Sequence, residues 1–280
     1  MNTEEFKKHL IFDEKSESTV SRYVRDVTAY ITWLGDREMS KELTMKYKEE
    51  IAAKYEAASV NTMLSSLSSY FDWIGHPEYK VKNLKIQKDT FIDPKKELTK
   101  EEYERLLKTA YDMGRYRIYY IMQTICSCGL RVSELKYITV EAVMRGIAYV
   151  TNKSKKRKVY IPDTLVELLK PYITMRNIKK GPVFVTRTGR PLDRSNIWTE
   201  MKKLCEKAGV LASKVFPHSL RHLFARTYYM IHQDVVRLAD ILGHSSVNTT
   251  RIYTAESGEI HFKRIRVLEL VFNFKNRNTT

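Results

Sequence analysis

A mainly helical α+β fold with one small β-hairpin, built as two domains, is predicted for this 280-residue sequence on three observations. Apolar residues recur at spacings of three and four along most of the chain, as in helices with one buried face. Two short β-rich runs flank a lysine-rich turn in the second half, whereas the first shows no strand-like alternation. Between the halves, a basic stretch containing Pro77 and Pro94 loses the periodicity, as an interdomain linker does. The chain is long for one domain and short for three. The division is drawn as an all-helical domain over 1–80, a linker over 81–97 and a mixed domain over 98–280.

In the first domain, Val20, Tyr23, Val24, Val27, Tyr30, Ile31 and Leu34 form one apolar stripe stopped by Gly35. Val60, Leu64, Leu67, Tyr70, Phe71 and Ile74 form a second, stopped by Gly75, with a weaker helix over 41–55 between them. The second domain opens on a capping box, Thr99 to Glu102, ahead of Tyr103, Leu106, Leu107 and Ala110. Helices are predicted over 99–112, 115–128 and 131–139, then β runs at 146–150 and 158–161 flanking TNKSKKR. Further helices follow at 163–176, 193–208, 217–232 and 234–242, with the turn TRTGRPLD ahead of the second of these. Tyr228 and Tyr229 continue an apolar run with Phe224 and Met230 and are predicted to be core.

A net charge of +16 implies a polyanionic partner, nucleic acid before an anionic membrane. The excess is not shared: residues 1–90 hold 14 basic and 15 acidic side chains, and 91–280 hold 35 and 18. Cys126, Cys128 and Cys205 form neither an even disulfide framework nor a CxxC pair and suit small core residues in a reducing compartment. No apolar run approaches the roughly 18 residues of a membrane span, so a soluble, cytoplasmic protein is expected. A GxxxxGKS nucleotide loop is absent from the sequence.

Three fragments interrupt apolar helices with cationic groups beside turns: GLRVSEL at 129–135, HSLRH at 218–222 and LGHSSVNTTRIYT at 242–254. Glu134, three residues after Arg131, shares its face and can orient the guanidinium. His218 and Arg221 repeat that spacing just after Pro217, a helix-start signal. His244 follows Gly243, a helix-stop signal, and projects from a chain reversal. A single helix-start arginine is usually an ion-pair residue, and a lone histidine usually core. Two arginines, two histidines and a tyrosine together near turns are what cleavage of a phosphodiester needs.

In order and rough spacing, these fragments resemble the motifs of the tyrosine recombinase or phage integrase family, its compact Xer-like members in particular, and the helical first domain resembles that family's core-binding domain. The resemblance implies a site-specific DNA recombinase working through a 3′-phosphotyrosine intermediate, with Tyr253 as nucleophile and His218 as its base. It implies Arg131 and Arg221 as the groups holding the scissile phosphate and His244 as a further contact. The family's general-acid lysine matches Lys153, although Asn-Lys-Ser departs from the common Gly-Lys-Gly form and Lys155 shares its face. Lys155 and Lys156 are otherwise phosphate-contact candidates, as are Arg22 and Arg25 on the polar side of the first helix and the hydroxyl-rich face of Ser65, Ser66, Ser68 and Ser69.

No cofactor and no metal are expected, since the arginines take the role of Mg²⁺, and His9, His76, His232 and His261 show no carboxylate or thiolate at ligand spacing. The partners implied are double-stranded recombination sites and other copies of the chain in a tetrameric synapse. The apolar tail over about 257–280, with Phe262, Ile265, Leu268, Val271 and Phe272, would dock on a neighbour. With no arm-binding domain ahead of residue 1, simple sites are expected. The rival activities are relaxation by a type IB topoisomerase and binding by a catalytically silent accessory protein.

Overall fold

The computed structural model describes residues 3–86, 96–152, 155–186, 188–190, 192–253 and 266. It divides into two compact units, Met1–Asp89 and Thr90–Thr280.

Among its described residues the first unit holds four α-helices: α1 (Thr3–Phe12), α2 (Glu17–Leu34), α3 (Lys41–Lys54) and α4 (Ala57–Trp73). α1 is absent from the sequence prediction, because Phe6 and Leu10 are the only buried residues of a charged segment and too few to show a period. Both are fully buried, and the Phe6 ring meets Tyr70 edge-on at 5.1 Å. α2 begins where Ser16 Oγ accepts the Thr19 N–H, and ends at Gly35 with φ of 61°. The α2 and α4 stripes face each other, and Tyr30 reaches Thr44 of α3 through a buried 2.9 Å hydroxyl pair.

Ser66 departs from the hydroxyl-rich surface expected of α4. It is fully buried, and its Oγ donates to Asp26 Oδ2 at 2.8 Å. Arg25 donates to the other oxygen, Oδ1, through Nε at 3.1 Å and Nη2 at 2.8 Å. A carboxylate on the inner side of α2 thus draws a serine inward, since an unpaired buried charge would cost more than the pair. Arg22 remains on the exposed side, with its guanidinium 5.4 Å from the Tyr23 ring. The first residues of the expected linker also belong to this unit: Val81 and Leu84 pack on its core, and Leu84 exchanges two hydrogen bonds with the Asn61 side chain. The linker residues 87–95 lie outside the described residues.

The second unit starts at α5 (Lys100–Asp112), with both hydrogen bonds of the Thr99/Glu102 capping box formed. α6 (Tyr116–Cys128), α7 (Val140–Arg145), β1 (Ile147–Asn152), β2 (Lys155–Tyr160) and α8 (Asp163–Met175) follow, then α9 (Arg194–Ala208), α10 (Pro217–His232), α11 (Val235–Leu242) and the short α12 (Val247–Thr250). The strands are longer than the sequence suggests, because the register continues to the pair Asn152 and Lys155. Ala148, Val150, Val159 and Ile161 face the core, whereas Tyr149, Lys158 and Tyr160 face out. Tyr228 and Tyr229 are half-buried, and Met230 is exposed rather than core. Cys126, Cys128 and Cys205 are free thiols, the last two buried. Apart from Arg266, the tail beyond Tyr253, with its five apolar positions, lies outside the described residues.

Replacing Ser66 with Ala strands Asp26 Oδ2 without its buried donor. Equilibrium urea unfolding of the full chain is expected to show a loss of about 1–3 kcal/mol, and an unchanged curve would mean that this bond contributes nothing to stability.

Candidate active site

Gly129 closes α6 with φ of 59°, and a Cβ there would lie 2.6 Å from the Phe224 ring, so both backbone and packing require glycine. The chain then turns at Arg131, which is extended (φ −79°, ψ 151°). The predicted helix over 131–139 is instead a 3-10 turn, Val132–Tyr137. Within it Glu134 Oε2 accepts the Arg131 backbone N–H at 2.8 Å, which fixes the entry to the turn as a capping contact.

Glu134 is 1% exposed and stands among three arginines. Arg131 Nη1 lies 3.1 Å from Oε1, while Arg157 Nη2 and Arg221 Nη1 lie 2.6 Å and 4.0 Å from Oε2. Arg221 is fully buried and donates to the carbonyls of Gly129 at 2.5 Å and Leu242 at 2.6 Å. Its Nη2 also lies 3.2 Å from His244 Nε2. A guanidinium only donates, so His244 Nε2 accepts and its proton sits on Nδ1, which donates to Thr250 Oγ1 at 2.8 Å. Burial and the neighbouring guanidiniums of Arg221, Arg131 and Arg157 lower the His244 pKa to about 4. Burial, then Arg131, lowers Arg221 to about 10, and it stays charged at neutral pH.

Tyr253 ends a 3-10 turn, Arg251–Tyr253, and is buried against Ala225, Leu238 and Leu242, although its sequence neighbours are polar. Burial raises the pKa of its phenol, and the Arg221 and Arg131 guanidiniums oppose the rise. The ring meets His222 edge-on at 5.1 Å and stacks on His244 at 6.2 Å. His218 is one turn from His222 on α10, its ring 4.6 Å away, with an edge exposed to solvent. Burial on its packed side, then His222, Arg221, Arg131 and Arg194, lower its pKa to about 4. Glu97 closes the group from outside: its carboxylate pairs with Arg226 at 2.6 Å and lies 4.0 Å from His222 Nδ1.

The structure therefore brings Arg131, Glu134, Arg221, His244 and Tyr253 together, with His218 joined to them through His222. Lys153 lies outside the described residues, as does the Lys155 side chain; Lys156 is exposed on β2. Arg22 and Arg25 belong to the other unit. Sequence reasoning missed Arg157, which it read as part of a basic hairpin tip, and Glu97, which it placed in the linker. His222 was visible as the fourth residue after His218 in HSLRH, and Thr250 carried no signal. His9 and His76 do have carboxylate partners, Asp13 and Glu78, at 3.6 and 2.8 Å. Among the described residues no three ligand side chains gather as a metal site.

One buried carboxylate against three guanidiniums leaves the pocket cationic, and it lies beside a tyrosine and two neutral histidines. Such a site on this fold is that of a tyrosine recombinase, an enzyme that cleaves and rejoins DNA. The model of the phage integrase family matches residues 96–259, and that of the phage integrase N-terminal SAM-like domain matches 3–76. Tyrosine recombinase XerA of Thermococcus kodakarensis is 32% identical over 259 residues, covering 90% of this chain and 89% of the relative. XerD of Oceanobacillus iheyensis is 27% identical over 264 residues, covering 85% and 88%. The chain belongs to the phage integrase family of tyrosine recombinases. In fold it is similar to a lambda integrase dimer bound to a COC′ core site (TM-score 0.74, 18% identity, 91% of this chain and 94% of that one). It is also similar to the XerH recombinase bound to difH (TM-score 0.69, 19% identity, 89% and 79%).

Unfolded histidines titrate near 6.5, above His218 and His244 in the fold at about 4. In that window the unfolded chain takes up protons that the fold refuses, so stability is lost as pH falls through it. Thermal unfolding from about pH 7.5 to about 4.5 is expected to show a falling midpoint, less steep in His244→Gln; equal slopes would mean that His244 titrates normally.

Proposed function

We propose that the chain is a Xer-like site-specific recombinase in which Tyr253 attacks the scissile phosphate. The Oη–P bond forms, the P–O5′ bond breaks, and the 3′-end stays on the enzyme as a phosphotyrosine diester. Attack by the 5′-hydroxyl of another strand reverses these steps, and the diester keeps the bond energy, so no ATP is consumed. The observation that carries this reading is the stacking of the Tyr253 ring on His244, whose Nε2 accepts from Arg221, with Arg131 sharing the Glu134 carboxylate beside them.

Burial holds the phenol protonated, so a base is required. His218, neutral with its pKa near 4, can take that proton. In the free protein His222 packs on the Tyr253 ring, and Tyr253 moves towards the phosphate before its proton reaches His218. Arg131 and Arg221 hold the non-bridging oxygens and stabilise the charge that grows on them. His244 Nε2 accepts from Arg221 in the free protein, so its contact to a phosphate oxygen follows protonation, which the arriving negative charge favours. Lys153 protonates the leaving O5′.

The helical first unit contacts DNA through Arg22 and Arg25, and Lys155 and Lys156 add phosphate contacts. Four chains assemble on two double-stranded sites, with the tail over 257–280 docked on a neighbour. This is supported by the solved lambda integrase tetramer bound to a Holliday junction, to which the chain is similar in fold (TM-score 0.73). The enzyme works in the cytoplasm: three free thiols suit reducing conditions, and among the described residues no helix is long and apolar enough to cross a membrane.

A pool of nicked duplexes with randomised half-sites, enriched first by binding to the protein, provides suicide substrates. A covalent adduct on a denaturing gel is expected with the intact protein and not with Tyr253→Phe; an adduct that persists in this variant overturns the assignment. Arg131→Ala or Arg221→Ala should slow adduct formation by roughly two to three orders of magnitude. Exchange of strands between two duplexes, rather than relaxation of one, separates recombinase from topoisomerase.

A further inference from the structure

Arg157 is outside every motif that brought the site to notice, yet it is more deeply tied into it than Arg131. From β2 it crosses the core-facing side of the hairpin, opposite Val150. Its Nη2 donates to Glu134 Oε2 at 2.6 Å and its Nη1 to the Ile241 carbonyl at 2.7 Å. Its stem passes so near Gly243 that a Cβ there would lie 2.6 Å from Arg157 Cδ. Gly243 is therefore needed twice over, for a φ of 64° and for the passage of this side chain. The hydrogen bonds of one residue join three separate segments: the hairpin, the turn that carries Glu134 and Arg131, and the end of α11 that leads into His244.

Without Arg157, Glu134 Oε2 loses its shortest contact, and the carboxylate is free to draw Arg131 or Arg221 closer. With it, Oε1 alone faces the Arg131 guanidinium, at 3.1 Å, and Arg131 Nη2 points towards the Gly243 carbonyl at 3.5 Å. We propose that Arg157 is a positioning residue: by occupying Glu134 and fixing the end of α11, it sets the Arg131 and Arg221 guanidiniums at the spacing that receives the scissile phosphate. This rests on the reading of Arg131 and Arg221 as the phosphate-holding pair.

The test compares single-turnover cleavage of a scissile phosphodiester with that of the same site carrying a methylphosphonate, whose neutral methyl removes one negative oxygen and with it part of the need for the arginines. Arg157→Met keeps the stem and removes the guanidinium. It should cleave the diester about 10- to 100-fold more slowly than the unaltered protein, as outer partners of a site commonly do, while the deficit on methylphosphonate shrinks to a few-fold. An equal deficit on both substrates means that Arg157 only holds the fold, and the proposal is wrong. Arg157→Lys keeps the charge and only one of the two bonds, so it guards against a misfolded Arg157→Met; an intermediate deficit with the same relief is expected, and no deficit overturns the proposal. Arg131→Ala runs alongside. If methylphosphonate does not relieve it, the reading of the phosphate-holding pair has failed; if it is relieved and the Arg157 variants are not, the positioning role alone has failed.

Discussion

The buried carboxylate of Glu134 is the constraint on which this site depends. An unpaired carboxylate at 1% exposure would destabilise the fold. Here guanidiniums from three separate segments surround it, so the full interaction forms only when all three are in place. Removing one partner from such a group costs far more than the group contributes to net stability. Its value is therefore geometric: it decides where the arginines point.

One carboxylate cannot pair every N–H of three arginines, and main-chain carbonyls at helix ends supply further acceptors without cancelling the charge. Gly129 ends α6, and Ile241, Leu242 and Gly243 end α11; the carbonyls of all four accept from Arg131, Arg157 or Arg221. These are the C-terminal carbonyls that a helix leaves without internal partners, at the negative end of its dipole. The glycines that stop α6 and α11 in the left-handed region thus do more than end helices. They expose carbonyls to the arginines without a side chain in the way, which accounts for GLR and LGH as units of sequence.

Much of this was legible beforehand because it is local. Capping at Thr99, the stripes of α2 and α4, Pro217 ahead of α10 and Gly243 after α11 all declare themselves within a few residues. What stayed hidden depends on contacts across the chain. Ser66 is indistinguishable from Ser65, Ser68 and Ser69 until Asp26, forty residues away, is found facing it. The segment 131–139 has a helical pattern, yet it winds only as the 3-10 turn Val132–Tyr137, and its Glu134 meets guanidiniums from β2 and α10 that lie far away in the sequence. Arg157 stands in a run of basic residues, and strand register alone turns it inward while Lys158 faces solvent. The site's residue types were thus readable from motifs, but the order of contact among them was not.

That order bears on the free enzyme. Tyr253 rests in an apolar seat, protonated, with its ring stacked on His244, which accepts from Arg221. Its seat on Ala225, Leu238 and Leu242 disfavours the phenolate, whereas Arg221 and Arg131 favour it. Burial prevails in the free state. On the proposed reading, an entering phosphodiester competes for the Arg221 N–H that His244 Nε2 accepts in the free protein. The net charge of residues 91–280, +17 against −1 for 1–90, concentrates attraction for DNA in the part of the chain where this exchange takes place.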